Sequence, residues 1–168
     1  MESDLKNIQS LLENIQRFPK VTNRKKLNKL YTSGGNHKQL NCIHFGVKLF
    51  ANKYSRTKAT KENLYPELER SIINFIKKYY PNTEYNQILI NKNNWFEIHK
   101  DKNNKIDKAL LIGLGNYTGG ELNLHNDSGT IIKTVDIKMN PIFFANKTIN
   151  HSVCPWIGDR YSIITYLI

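Results

Sequence analysis

Trp95-Phe96-Glu97-Ile98-His99-Lys100-Asp101 is the stretch that most strongly determines the predicted fold and chemistry of this chain. Its aromatic and apolar residues predict a strand, and in an extended strand residues two positions apart point to the same side. The imidazole of His99 and the carboxylate of Asp101 are therefore expected to converge on one point. Two protein ligands make a poor metal site, so a third donor is expected elsewhere in the chain.

The candidate third donor is His151, which follows the apolar run Pro141–Ala145. Two histidines and one carboxylate form the facial triad that leaves coordination positions open on Fe(II). Structural zinc favours four ligands rich in cysteine, so this donor set argues against it. Beyond His151, Arg160 and Ser162 stand two apart in another strand-like segment. A planar guanidinium beside a hydroxyl suits the far carboxylate of a dicarboxylic acid.

In order and spacing, His99-x-Asp101, His151 and Arg160-x-Ser162 resemble the Fe(II)- and 2-oxoglutarate-dependent dioxygenases, over roughly residues 86 to 168. The resemblance implies a double-stranded β-helix, or jelly roll, with Fe(II) held by the two histidines and the aspartate. It implies 2-oxoglutarate as cosubstrate, with its far carboxylate on Arg160 and Ser162, and O2 as the oxidant. Compact oxygenases of algae and large viruses are also similar, over residues 44–125.

Three further candidates rest on the same resemblance. Asn91 is expected to hydrogen-bond 2-oxoglutarate, because its even spacing from His99 predicts the same strand face; Asn93 is the alternative. The segment Tyr117–Leu122, Tyr-x-Gly-Gly-x-Leu, is expected to close the roll beside the iron, with Tyr117 lining the substrate entrance. Asn104 completes a His-x-Asp-x-x-Asn pattern similar to the methylcytosine and thymine hydroxylase branch, which makes it a candidate substrate residue.

Hydrophobic periodicity predicts two helices ahead of the strands. The first carries an apolar stripe from Leu5 to Phe18 and is expected to end at Pro19; the second is predicted from near Asn63 to Pro81. Between them Cys42–Phe50 alternates like a half-buried strand, and 51–61 has the composition of a polar loop. From Tyr85 onward, strands are predicted at 87–91, 95–99, 108–114, 121–125, 130–136, 141–145, around 151 and at 160–168.

Two helices followed by about eight short strands predict an α+β, mainly β fold, a jelly roll with the N-terminal helices packed on one face. The chain is expected to be one domain, with a helical and basic part at 1–84 and the jelly-roll core with the metal site at 85–168. No signal peptide and no apolar run long enough for a membrane span are evident. Cys42 and Cys154 form no CxxC pair, so an intracellular setting, cytoplasmic or nuclear, is expected.

Positive charge is concentrated at the start of the chain. The net charge is +11, and residues 1–61 carry +10 of it, with no acidic residue in 14–61. Such asymmetry favours an anionic partner, DNA or RNA above all, with Arg24, Lys25 and Lys26 as tentative contacts. Because Lys and Asn are abundant throughout, a solvated surface is the competing interpretation.

Two interpretations of function therefore compete with the favoured one. The favoured interpretation is a hydroxylase acting on a base in nucleic acid, with release of succinate and CO2. The first rival is a peptidyl prolyl or lysyl hydroxylase, whose core motifs are the same. The second is a nonenzymatic jelly-roll binding module, which the intact ligand set opposes.

Overall fold

The structure, a computed structural model, describes residues 1–22, 30–32, 39–50 and 53–168. The candidates Arg24, Lys25 and Lys26 lie outside the described residues. The helices are α1 (Glu2–Glu13), α2 (Lys58–Lys61) and α3 (Pro66–Tyr79). The strands are β1 (Lys20–Thr22), β2 (Leu30–Thr32), β3 (Gln39–Phe50), β4 (Lys53–Arg56), β5 (Gln87–Lys92), β6 (Asn94–Phe96), β7 (Ala109–Leu114), β8 (Tyr117–Gly119), β9 (Leu122–His125), β10 (Ile131–Val135), β11 (Ile142–Phe144), β12 (Asn150–Val153), β13 (Trp156–Gly158) and β14 (Tyr161–Tyr166).

A seven-stranded antiparallel sheet forms the larger layer. Its order is β1-β3-β5-β14-β7-β11, with β4 added to β3. A smaller sheet, β10-β9-β12, and the pairs β8-β13 and β2-β6 make up the remaining strands. The predicted jelly roll is confirmed. The large sheet also takes β1, β3 and β4 from the part of the chain before residue 85, whereas β2 pairs with β6 outside it.

The two faces of the large sheet have different partners. Alternate residues of its central strands, such as Ile90, Ile112 and Ile163, pack with α1 and α3 into the main hydrophobic core. Because side chains alternate across a strand, the intervening residues, such as Leu89 and Ser162, point to the other face and line a cavity. The helices therefore cover one face, as predicted, and leave the other for the site.

The first helix is shorter than predicted, ending at Glu13 rather than running to Pro19. Ile15 and Phe18 still pack against the core. The apolar spacing therefore predicted correctly which residues are buried, but not where the helix ends. The second predicted helix corresponds to α3, which begins at Pro66 rather than near Asn63 and buries Leu68, Ile72, Phe75 and Ile76. None of the helices in the described ranges is both long and apolar enough to span a membrane.

The predicted loop at 51–61 is wrong for most of its length. It contains β4, whose four residues are exposed at the end of the sheet, and the short helix α2. Thr57 caps α2, its hydroxyl accepting from the backbone N–H of Thr60, and its own N–H bonds the carbonyl of Gly46. The polar composition predicted exposure, but local hydrogen bonding still orders the backbone.

Candidate metal centre

The strand predicted from Trp95 to His99 is shorter in the structure. β6 ends at Phe96, and His99 follows as an isolated bridge to His151. The backbone N–H of each histidine donates to the carbonyl of the other, at N–O distances of 3.0 and 2.9 Å. This antiparallel bridge, rather than a continuous strand, brings the two imidazoles together, with ring centroids 4.2 Å apart.

Asp101 completes a cluster with the two histidines. His99 Nε2 lies 3.7 Å from Asp101 Oδ1, and His151 Nε2 lies 3.9 Å from Asp101 Oδ2. Two atoms that each bind one ion at roughly 2.1 Å lie at most about 4.2 Å apart, so these separations allow a shared ion. One donor atom from each of the three residues falls within 4.8 Å of the others. The residues predicted from i and i+2 spacing thus do converge.

Backbone carbonyls orient both imidazoles. His99 Nδ1 lies 2.7 Å from the carbonyl oxygen of Glu97, and His151 Nδ1 lies 3.0 Å from that of Ile149. A proton held on Nδ1 by these carbonyls leaves the lone pair on Nε2, where a metal would bind. Burial lowers the pKa of His151, and the nearby imidazole of His99 lowers it further. Both causes favour the neutral form that a metal requires.

Asn146 fixes Asp101, and no sequence pattern pointed to it. Its side chain is fully buried, and its Nδ2 donates to Asp101 Oδ2 at 2.9 Å. The backbone carbonyl oxygen of Asn146 accepts the backbone N–H of Asp101, also at 2.9 Å. The residue lies in the turn between β11 and β12, so it becomes a neighbour of Asp101 only when the sheets close. Two contacts from one residue hold the carboxylate and its backbone together.

Arg160 lines the same cavity as His99, Asp101 and His151, at the end away from these three residues. It is 3% exposed, and its Nε donates to the carbonyl oxygen of Gly120 at 3.1 Å. Its guanidinium carbon lies 5.6 Å from the ring centre of Tyr117 and 5.5 Å from that of Trp156. In the described part of the chain, no carboxylate oxygen lies within 4.0 Å of this guanidinium. Burial lowers the pKa of Arg160, yet a guanidinium stays protonated, so the site holds a buried cation without an anion.

The contact with Arg160 explains why glycine is needed in the pair Gly119-Gly120. Gly120 adopts a φ of +75°, and a Cβ there would lie 2.8 Å from Cδ and from Nε of Arg160. The left-handed backbone and the close approach both require glycine. Tyr117 was predicted to line the substrate entrance, but the structure places it elsewhere: it is 3% exposed and lies against Arg160. Burial raises the pKa of Tyr117 to about 12, so the phenol stays neutral beside the guanidinium.

Asn91 and Ser162 face each other across β5 and β14 and line the same cavity. Asn91 Oδ1 accepts from Asn94 Nδ2 at 3.0 Å, which orients the amide. The even-spacing argument that put Asn91 and His99 on the same strand face does not hold, because β5 ends at Lys92 and Asn93 turns the chain at φ 53°. The two side chains meet because the large sheet and the His99–His151 bridge face each other. Asn93, the alternative, accepts the backbone N–H of Arg160 and donates to Asp159.

Two cavities meet at the cluster. The inner cavity, about 120 Å³, runs from His99, Asp101 and His151 past apolar walls to Asn91, Ser162 and Arg160. The outer cavity, about 740 Å³, shares His99, Asp101, Leu89 and Ile164 with the inner one. It is also lined by Asn104 and Tyr166 and by the segment 100–103. Asn104, predicted as a substrate residue, is 5% exposed, and its Nδ2 has no hydrogen-bond partner in the described part of the chain.

No protein-family model matches this chain, and no curated protein matches it. Solved structures do. NgTET1 in complex with 5mC DNA has a TM-score of 0.62 at 16% identity, over 99% of this chain and 68% of that one. An oxidoreductase of the 2OG-Fe(II) oxygenase family from Burkholderia pseudomallei has a TM-score of 0.57 at 16% identity, over 98% and 76%. OsALKBH1 has 0.56 at 12% identity, over 100% and 92%. The similarity of these structures, together with the jelly roll described above, shows that the chain has the fold of the 2OG-Fe(II) oxygenases.

Proposed function

We propose that the chain is a non-haem Fe(II)- and 2-oxoglutarate-dependent dioxygenase that hydroxylates a base in nucleic acid. The observation that carries the reaction type is the inner cavity, with three metal-binding side chains at one end and a buried, unpaired guanidinium at the other. A dicarboxylate bound between them would give Arg160 its missing anion. A nonenzymatic module would have no need for a buried cation of this kind, which is costly to keep without a partner.

The residues present fit both groups. His99, Asp101 and His151 would hold Fe(II) and leave open positions on it. Arg160 and Ser162 would bind the far carboxylate of 2-oxoglutarate, and Asn91 would hydrogen-bond the same molecule. Bound Fe(II) and 2-oxoglutarate supply the activation of O2 that puts one oxygen atom into a C–H bond, with succinate and CO2 as by-products. Apolar side chains, including Leu111, Leu122 and Phe144, line the inner cavity between these groups.

The outer cavity is the proposed place for the substrate, because it opens onto the same two metal-binding residues, His99 and Asp101. Asn104 offers there a buried amide without a partner, which suits the hydrogen-bonding edge of a base. Tyr166 supplies an aromatic wall, and burial raises its pKa to about 12, so it stays neutral. The concentration of positive charge before residue 62 and the likeness to NgTET1, which was solved with 5mC DNA, support a nucleic acid. Contact by Arg24, Lys25 and Lys26 stays a prediction.

Succinate formation tests this proposal directly. The chain, supplied with Fe(II) and labelled 2-oxoglutarate in air, is incubated with a panel of oligonucleotides and a panel of proline- and lysine-containing peptides. We expect succinate above background with an oligonucleotide, and mass spectrometry should find one added oxygen atom on a base. Stimulation by peptides alone would assign the protein hydroxylase instead. Binding of neither Fe(II) nor 2-oxoglutarate would leave a nonenzymatic module.

Replacing Asn146 with leucine is expected to weaken metal binding by about 10- to 100-fold, the usual effect of removing a group that orients a ligand. Leucine keeps the shape but cannot donate to Asp101. Asn146→Asp, with the same shape, should be at least as harmful because it places a carboxylate against a carboxylate. Mn(II) affinity measured by titration is the readout, with the exposed Asn74→Leu on α3 as the control. Unchanged Mn(II) affinity in a folded Asn146→Leu protein would contradict this role.

A further inference from the structure

The rim of the outer cavity carries a fixed aromatic ring. Tyr54 of β4 is 52% exposed, although its hydroxyl takes part in two hydrogen bonds. Its hydroxyl donates to the backbone oxygen of Ile168 at 3.2 Å and accepts from Lys105 Nζ at 3.0 Å. Ile168 lines the outer cavity, and its backbone is bonded in turn to the side chain of Asn86. The ring is therefore presented to solvent in one orientation beside the cavity.

Four exposed cations without anionic partners lie in the two segments that carry Tyr54 and Lys105. Lys102 and Lys105 come from the segment that follows Asp101, and Lys53 and Arg56 flank Tyr54 on β4. Within the described ranges, no carboxylate oxygen lies within 4.0 Å of any of the four. Lys105 Nζ also lies 5.5 Å from the centre of the Tyr54 ring. Lys102 itself lines the outer cavity.

We infer that this rim, defined as Tyr54, Arg56, Lys102 and Lys105, binds single-stranded nucleic acid, with one base stacked on Tyr54 and the backbone along the cations. Basic grooves with an aromatic ring on which a base stacks are the recurring solution for single strands. A ring that is already fixed loses little conformational entropy when a base stacks on it. The inference rests on the proposed function, since it supplies the neighbours of a base placed in the outer cavity.

A single strand fits this arrangement better than a duplex. The metal-binding residues lie inside the cavity, so a base must leave any helix to reach them. A base stacked on Tyr54 must likewise have no neighbouring base stacked on that face, which a single strand permits more readily than a duplex. A strand that lies across the rim meets both conditions without the cost of unpairing.

The test uses a fluorescein-labelled single-stranded DNA of about 12 nucleotides, a length within the usual site size, with binding followed by anisotropy. Tyr54→Ala is expected to weaken binding about 5- to 100-fold, the usual value of one stacked base, while Tyr54→Phe keeps most of the affinity. Lys102→Gln should reduce the slope of log affinity against log salt by about 0.7, the loss of one phosphate contact. The matched control is Lys77→Gln, an exposed lysine on α3 on the other side of the large sheet.

The outcomes separate this inference from the proposed function. The affinities for Mn(II) and 2-oxoglutarate are measured on the same variants and should not change. Equal DNA affinity for Tyr54→Ala and the wild type would overturn the inference, as would binding of the matching duplex in preference to the single strand. Conversion of peptides without DNA binding would overturn it and leave the dioxygenase standing. Tyr54-dependent DNA binding by a chain that binds neither Mn(II) nor 2-oxoglutarate would retain the rim and refute the reaction.

Discussion

Replacing either His99 or His151 with alanine is expected to abolish Fe(II)-dependent succinate formation. Each change removes one of three protein ligands and leaves two, too few to hold the ion firmly. The wild type, titrated with Fe(II) and 2-oxoglutarate without O2, should develop a visible charge-transfer band, and both variants should lack it. Loss should be complete, because the Nε2 atoms that meet Asp101 have no substitute nearby: in the described part of the chain these three residues form the one cluster of metal-binding side chains.

His125→Gln is the matched control for these substitutions. His125 is also buried, on β9 beside β12, but its Nε2 bonds the hydroxyl of Ser152 and its Nδ1 bonds the carbonyl of Gly129. It is not one of the three residues of the cluster, so the variant should keep the band as long as thermal unfolding shows it folded. Absence of the band in folded wild type supplied with both Fe(II) and 2-oxoglutarate would refute the proposed reaction.

Arg160→Leu is expected to raise the concentration of 2-oxoglutarate required by about 30-fold to a few thousandfold. Truncating one partner of a buried, hydrogen-bonded charge pair costs about 2–5 kcal/mol. Mn(II) affinity should stay near that of the wild type, because Arg160 lies at the far end of the inner cavity from the metal-binding residues. One calorimetric titration with Mn(II) measures the metal affinity. A second, with 2-oxoglutarate added to the Mn(II)-loaded chain, measures the affinity for 2-oxoglutarate.

Two comparisons make this result specific to Arg160. The 2-oxoglutarate affinity of Arg160→Lys should lie between those of the wild type and Arg160→Leu, because lysine keeps the charge but loses the planar guanidinium that pairs with a carboxylate. Arg70→Leu, an exposed arginine on α3, should leave 2-oxoglutarate affinity unchanged. Equal affinity in Arg160→Leu and the wild type would mean that another group holds the far carboxylate.

The sequence predicted the members of the site better than the way in which they meet. His99 and Asp101 stand two apart, and one donor atom of each does lie near the same point, as the spacing predicted. The strand predicted to carry them nevertheless stops at Phe96, and the pairing of His99 with His151 replaces it. Asn91 was selected on a spacing argument that fails at Asn93, yet it lines the same cavity as His99. Facing sheets, which spacing along one strand cannot describe, produce that convergence.

Other features had no local signal. Asn146 is one of many asparagines, and its contact with Asp101 exists only once the turn after β11 closes against the segment after His99. Tyr117 was predicted at the entrance because it precedes the glycine pair, but the left-handed backbone at Gly119 and Gly120 folds it inward against Arg160. The exposed Tyr54 lay in a segment predicted to be a loop.

By itself, the sequence determined the jelly-roll class and the helices on one face, because strand alternation and helical periodicity act within single elements. It also named the metal-binding and carboxylate-binding candidates, through their residue types, order and spacing. Only the tertiary structure decided that Arg160 is a buried cation without a carboxylate, that Asn146 holds Asp101, and that an inner and an outer cavity meet at His99 and Asp101. These properties depend on residues tens of positions apart whose distances are set when the two layers pack, and no pattern within a short window encodes such distances.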